Sequence, residues 1–74
     1  MSNDYKEREF LDNVAKRIAD IRRAKGVTQE KLAADTGLDR VAIANIETGK
    51  RRPTVTTVHK LALGLGVNVT EFFR

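Results

Sequence analysis

The side chains best suited to recognition chemistry lie between residues 40 and 52. One face of a predicted short helix carries a single arginine among small or short polar side chains, namely Arg40, Val41, Ala44, Asn45 and Thr48. Such a face suits a helix that lies inside a groove, because a solvated helix face usually carries more lysine and glutamate. The basic run Lys50, Arg51 and Arg52 follows directly. It is suited to bind phosphates, although such a run is also typical of a solvated loop.

Catalytic chemistry has little support in the sequence. The only histidine, His59, stands beside Lys60 on a predicted helix, and the only serine is Ser2. The chain has no cysteine, and no Ser/His/Asp set, glycine-rich phosphate loop or metal-ligand spacing is present. The sequence therefore predicts a protein that is not an enzyme, with no metal, no cofactor and no small-molecule ligand.

Two short helices joined by a tight turn are predicted to position the recognition residues. Thr28 is a good N-cap for a helix over residues 29–36, and Gly37 can end that helix in the left-handed conformation. Asp39 can cap a second helix over residues 41–48. This arrangement is the helix-turn-helix pattern, although a helical hairpin in an unrelated bundle would have a similar sequence.

A long amphipathic helix precedes the two short ones. Between Asp4 and Lys25, apolar residues recur at steps of three and four along one stripe that also includes Arg22. Residues 1–12 form extra N-terminal turns, and residues 1–13 hold four acidic and two basic side chains, a net charge of −2. These turns are therefore expected to face away from nucleic acid.

Two further helices complete the prediction. The first covers residues 55–65, with an apolar stripe that begins at Val55, and Gly64 and Gly66 are expected to end it. A short last helix covers residues 69–73, capped by Asn68. The predicted fold is therefore all-α, with five helices in a single domain over residues 1–74 and no strand.

Composition is consistent with a polyanionic partner. The net charge is +4 and the isoelectric point is about 9.9. Residues 38–74 hold six basic and three acidic side chains, so +3 of this charge lies in the second half. No apolar run could span a membrane and no signal peptide is evident, which predicts a cytoplasmic chain without a membrane partner. None of the four aromatic residues lies near the basic run, which disfavours single-stranded RNA.

The segments IRRAKGVTQEKLA, TGLDRVAIANIETGKRRP and LALGLGVNVTEFF, between Ile18 and Phe73, resemble the phage Cro/repressor-like helix-turn-helix family, also called the XRE family. Within it, the controller proteins of restriction–modification systems look most similar, and short repressors and antitoxins nearly as much. The resemblance implies a sequence-specific, autoregulatory transcription regulator that binds double-stranded DNA as a homodimer on an inverted repeat. RNA polymerase or a toxin would be a further partner. The alternative is an antitoxin or other protein-binding module that also binds its own operator.

The resemblance also implies roles for individual residues. Base reading falls to four positions of the third helix: Arg40, Val41, Ala44 and Asn45. Contacts with the DNA backbone fall to six others: Thr28, Gln29, Thr48, Lys50, Arg51 and Arg52. Arg22 and Glu47 match a structural ion pair that joins the first helix to the third.

The C-terminal segment, residues 66–74, is the predicted dimerisation segment. Two adjacent phenylalanines cannot both face inward easily, and an exposed ring is costly in water. The predicted dimer contacts are Leu65, Val67, Val69, Phe72 and Phe73. The alternative is that both rings cover the core beneath the first helix.

Overall fold

The computed structural model describes residues 4–74, which form four α-helices and one 3₁₀ helix. In chain order these are α1 (Asp4–Ala24), α2 (Gln29–Thr36), α3 (Arg40–Glu47), α4 (Val55–Leu65) and the C-terminal 3₁₀ helix (Val69–Phe73). This part of the chain contains no strand, which confirms the all-α class, but the fifth predicted helix is 3₁₀ rather than α. None of these helices is long and apolar enough to cross a membrane. Residues 1–3 of the predicted N-terminal extension lie outside the described residues.

Side-chain caps set the limits of the two central helices. Thr28 Oγ1 accepts the backbone N–H of Lys31 at 3.0 Å, and Asp39 Oδ1 accepts that of Val41 at 2.9 Å. Because Asp39 is the cap, α3 begins at Arg40 rather than at Val41. Gly37 connects the two helices with a φ of +75°, a conformation that glycine adopts without steric cost.

One hydrophobic core lies where the helices meet. Its largest fully buried side chains come from all four α-helices and the C-terminal 3₁₀ helix, namely Ile18, Leu32, Ile43, Leu61 and Phe72. Leu65 belongs to the same core. The prediction that Leu65 and Phe72 contact a second protomer is therefore wrong, since both side chains stabilise their own protomer. Arg17 Nε donates to the Glu71 carbonyl at 2.8 Å, which ties the segment that carries Phe72 to α1.

Helices α2 and α4 approach each other closely at Gly64. Gly64 was expected from the sequence to end α4, but this residue lies inside the helix, which continues to Leu65. A Cβ atom on Gly64 would lie 2.6 Å from Thr36 Cγ2 and 3.0 Å from Leu32 Cδ1. The missing side chain therefore gives α2 the space to pack against α4.

The first turns of α1 pack on the C-terminal segment through one aromatic pair. The Phe10 and Phe73 rings are stacked, with centroids 6.1 Å apart and an interplanar angle of 3°. Tyr5, in contrast, is 72% exposed. The spacing of Val55 predicted that it would lie on the buried stripe of α4. The residue is instead 88% exposed.

Candidate nucleic-acid interface

The two faces of α3 differ in burial. Ile43 and Ile46 are buried in the core with at most 3% of their surface exposed, which sets the rotation of the helix about its axis. The other side carries the four predicted base-reading residues: Arg40 and Val41 are exposed, and Ala44 and Asn45 are half-buried. The exposed end of this face is therefore formed by one guanidinium and one aliphatic side chain.

The basic run at residues 50–52 follows α3 through a hydrogen-bonded turn. The backbone carbonyl of Asn45 accepts the N–H groups of Lys50 at 2.9 Å and Arg51 at 3.1 Å. All three basic side chains of the run are exposed. The basic run therefore begins directly beside the C-terminal end of α3.

A chain of hydrogen bonds connects Arg40 to the interior. Arg40 Nη1 donates to Gln29 Oε1 at 3.4 Å, and Gln29 Nε2 donates to Glu47 Oε1 at 3.0 Å. Glu47 also accepts from Arg22, at 2.7 Å from Nε and 3.0 Å from Nη2. Because the Glu47 carboxylate can only accept, the Gln29 amide is oriented with its oxygen toward Arg40.

The Arg22–Glu47 ion pair expected from the resemblance is present and buried, with 8% of each residue exposed. The hydrogen-bonded Glu47 carboxylate raises the pKa of Arg22 above its ordinary value, against the opposing effect of burial. A third donor of the guanidinium, Nη1, bonds the Val27 carbonyl at 2.7 Å. The pair therefore joins α1, α3 and the turn before α2.

Three predicted backbone-contacting residues already use polar atoms within the protein. Thr28 Oγ1 caps α2, and the Gln29 amide donates one of its two N–H bonds to Glu47. The Thr48 hydroxyl donates to the Ala44 carbonyl at 3.1 Å. Gln29 keeps a second N–H for an incoming phosphate, whereas Thr48 needs to rotate its hydroxyl before it can donate one.

Glu7 is a neighbour of the basic run that the sequence did not predict. Its Oε1 lies 3.6 Å from Arg52 Nη1, and both side chains are more than half exposed. The acidic first turns were expected to face away from nucleic acid, whereas Glu7 lies against the basic run. No local pattern relates α1 to a loop so far along the chain.

An open apolar groove lies between the first half of α1, the loop before α4 and the C-terminal 3₁₀ helix. Its volume is about 510 Å³, and its lining includes Phe10, Val14, Val55, Val58, Val69 and Phe73. Of the predicted dimer contacts, Val69 and Phe73 line this groove, and Val67 is half-buried and outside it. Leu65 and Phe72 are core residues, as described above. No group of three or more potential metal-ligating side chains occurs among residues 4–74.

These elements define a helix-turn-helix domain. Residues 18–72 match the HTH_3 family model, described as helix-turn-helix, and the chain belongs to this family. The match covers the central helices, the ion pair and most of the core, and starts after the first turns of α1. It confirms the resemblance on which the residue roles were based.

Known proteins with a similar sequence or structure are transcriptional regulators. The uncharacterized HTH-type transcriptional regulator y4dJ of Sinorhizobium fredii is 41% identical over 58 residues, which span 78% of this chain and 75% of the relative. The restriction–modification controller protein C.AhdI of Aeromonas hydrophila is 36% identical with a TM-score of 0.82, over 85% of this chain and 96% of that one. The controller protein C.Esp1396I, solved as a tetramer with its natural 35 base-pair operator, is 39% identical with a TM-score of 0.80, over 86% and 84% of the two chains.

Proposed function

We propose that this protein is a sequence-specific transcriptional regulator that binds double-stranded DNA as a homodimer. One observation carries the proposal: α3 buries its isoleucines and presents Arg40 and Val41 to solvent beside an exposed basic run. The dimensions of the DNA major groove allow an α-helix to enter it. A buried inner face, an exposed outer face of this composition and a basic run at the end of the helix suit that use.

Helix α3 supplies the base contacts in this proposal. Arg40 can donate two parallel hydrogen bonds to O6 and N7 of a guanine, and Asn45 can bond an adenine in the same bidentate manner. Val41 can contact a thymine methyl group, and the small Ala44 lets the helix approach the bases. Arg40 and Val41 lie at the exposed start of the helix, where recognition helices contact base edges.

Backbone phosphates are bound on either side of α3. Helix α2 crosses the backbone with its N-terminus, where free N–H groups and the partial positive charge of the helix favour an anion. Thr28 and the second N–H of Gln29 lie at this end. Lys50, Arg51 and Arg52 bind phosphates beyond the other end of α3, with Thr48 beside them.

The homodimer reads an inverted repeat, since one helix contacts only a few base pairs. Half-sites one helical turn apart, about 34 Å, match a two-fold symmetric dimer with its two α3 helices in successive major grooves. The apolar groove, with Val69, Phe73 and the exposed Val55 at its lining, supports a C-terminal dimer surface. Such a regulator can control its own promoter through protein concentration, as a controller or repressor.

A selection from random duplex DNA tests this function. The protein is incubated with the random pool at about 0.15 M salt, bound DNA is sequenced, and the mass of the complex is measured by light scattering. We expect an enriched inverted repeat bound by a dimer. Weak binding that depends on salt, with no enriched sequence, contradicts the proposal.

A second candidate is a protein-binding module, such as an antitoxin, that also binds its own operator. It is favoured by the exposed Tyr5 and half-exposed Phe10 on the acidic first turns of α1. A toxin or RNA polymerase would contact these turns. Deletion of residues 1–10 should abolish such a contact, while binding to DNA is retained.

A further inference from the structure

The first turns of α1 place acidic side chains against the basic run and the turn before it. Glu7 Oε1 lies 3.6 Å from Arg52 Nη1. Asp12 lies beside Gly49, where a Cβ atom would be 3.0 Å from Asp12 Oδ1. Phe10, between these two acidic residues in the sequence, is stacked on Phe73 and holds this part of α1 against the domain. The contact of Glu7 with Arg52 is therefore supported by packing.

The Glu7 carboxylate contacts the Arg52 guanidinium, as a DNA phosphate would under the proposed function. A carboxylate and a phosphate both accept charge-assisted hydrogen bonds from a guanidinium group. The Arg52 and Glu7 side chains are 65% and 58% exposed, so solvent reaches the pair and a phosphate can displace the carboxylate. In the free protein Glu7 therefore contacts Arg52, a side chain that the proposed function assigns to a DNA phosphate.

We propose that Glu7 competes with the DNA backbone for Arg52 and lowers the affinity of the protein for duplexes of every sequence. The inference rests on the proposed function, because it requires Arg52 to contact phosphate. Contacts with phosphate carry no direct sequence information. The competition therefore reduces operator and random-DNA affinity by the same factor and leaves their ratio unchanged.

The expected size of the effect follows from the exposure of the pair. Exposed ion pairs are weak, so removal of Glu7 should raise DNA affinity only about two- to fivefold. Salt weakens the Glu7–Arg52 attraction as well. The gain should therefore decrease as the salt concentration rises from about 0.05 M to about 0.3 M.

The matched pair of variants Glu7→Gln and Glu9→Gln tests the proposal. Both remove one negative charge from the same turn of α1, but Glu9 makes no salt bridge within residues 4–74. Dissociation constants are measured on the selected operator and on random DNA at several salt concentrations. Glu7→Gln should bind both duplexes about two- to fivefold more tightly than Glu9→Gln at low salt. Equal affinities of the two variants overturn the inference.

The same comparison in an Arg52→Gln background identifies the cation involved. Without Arg52, Glu7→Gln and Glu9→Gln should bind DNA equally, and Arg52→Gln itself should bind less tightly than the wild type. Two results would overturn the inference while the wild-type protein still binds its operator. One is a gain in DNA affinity from Glu7→Gln that persists in this background, and the other is an unchanged DNA affinity of Arg52→Gln. Failure of the wild-type protein to select any operator overturns the proposed function itself. Thermal unfolding of each variant confirms that the exposed substitutions leave the fold intact.

Discussion

At the residue scale, the hydrogen-bond chain from Arg22 to Arg40 determines how the candidate base-reading arginine is held. Glu47 accepts from Arg22 and Gln29, and Gln29 accepts from Arg40. Only one of the N–H donors of Arg40 is engaged in this way, so others remain for a guanine. The buried ion pair thus orients the Gln29 amide, and under the proposed function it would act on recognition through that amide.

Substitution of Arg40 should change specificity. Arg40→Ala is expected to cost about 1–3 kcal/mol on the operator and to relax selection at one base pair, because a bidentate guanine contact is lost. Titrations with operator and random duplexes measure the difference. The control Arg51→Ala should weaken binding to both duplexes alike. It should also reduce the slope of log affinity against log salt concentration by about one. Equal losses on both duplexes for Arg40→Ala would contradict its base-reading role.

Substitution of Glu47 should mainly change stability. Glu47→Ala leaves the Arg22 charge buried without its partner and is expected to cost about 3–5 kcal/mol in the free energy of unfolding, measured with urea. Asp35→Ala is the control, since Asp35 pairs with Lys31 at 2.7 Å in an exposed pair, and it should cost at most about 1 kcal/mol. Similar losses for the two variants would refute the importance of the buried pair.

At the scale of elements, the packing of α2 on α4 depends on the small side chain at residue 64. In the interior of a helix, alanine is usually more favourable than glycine by about 1 kcal/mol of helix propensity. At Gly64, however, the added methyl group meets Thr36 Cγ2 at 2.6 Å. The steric conflict between two packed helices therefore exceeds the gain in helix propensity.

Gly64→Ala is accordingly expected to destabilise the protein by about 1–3 kcal/mol, the usual cost of overpacking. Denaturant unfolding measures this loss. Thr36→Ser in the same background removes the conflicting methyl group and keeps a hydroxyl for the Leu32 carbonyl, so it should restore part of the stability. A stabilising Gly64→Ala substitution would show that the helices separate without cost.

At the scale of the whole molecule, a monomer leaves the apolar groove exposed to solvent. Val55 is 88% exposed at its lining, and Phe73 is 49% exposed. In a two-fold symmetric dimer each protomer offers the same patch, so a protruding side chain next to a groove can be used twice. Two helix-turn-helix units joined in this way would read both halves of an inverted repeat.

Val55→Glu should therefore shift the protein toward the monomer. A carboxylate buried at the apolar interface is expected to raise the dimer dissociation constant at least about tenfold, or about 1.4 kcal/mol. Sedimentation equilibrium measures this constant. Leu63→Glu is the matched control, because Leu63 is 67% exposed on the same helix and does not line the groove. Equal effects of the two substitutions would exclude the groove as the dimer surface.

Sequence reasoning succeeded where neighbours along the chain decide the structure. The caps Thr28 and Asp39 predicted the starts of α2 and α3 to within one residue, and helical spacing placed Ile43 and Ile46 inside. It failed for Gly64, which was expected to end α4, because the chain alone does not show which helix packs against that position. The dimer contacts are partly wrong for the same reason.

The sequence by itself determined the helices, the turn between α2 and α3, and the face of α3 that carries Arg40, since caps and apolar periodicity act within a few residues. Only the tertiary structure decided that Phe72 is buried while Phe73 stacks on Phe10, and that Glu7 reaches Arg52. Residues far apart in the chain come into contact only when the helices pack around a shared core. Their partners therefore depend on the arrangement of the whole domain.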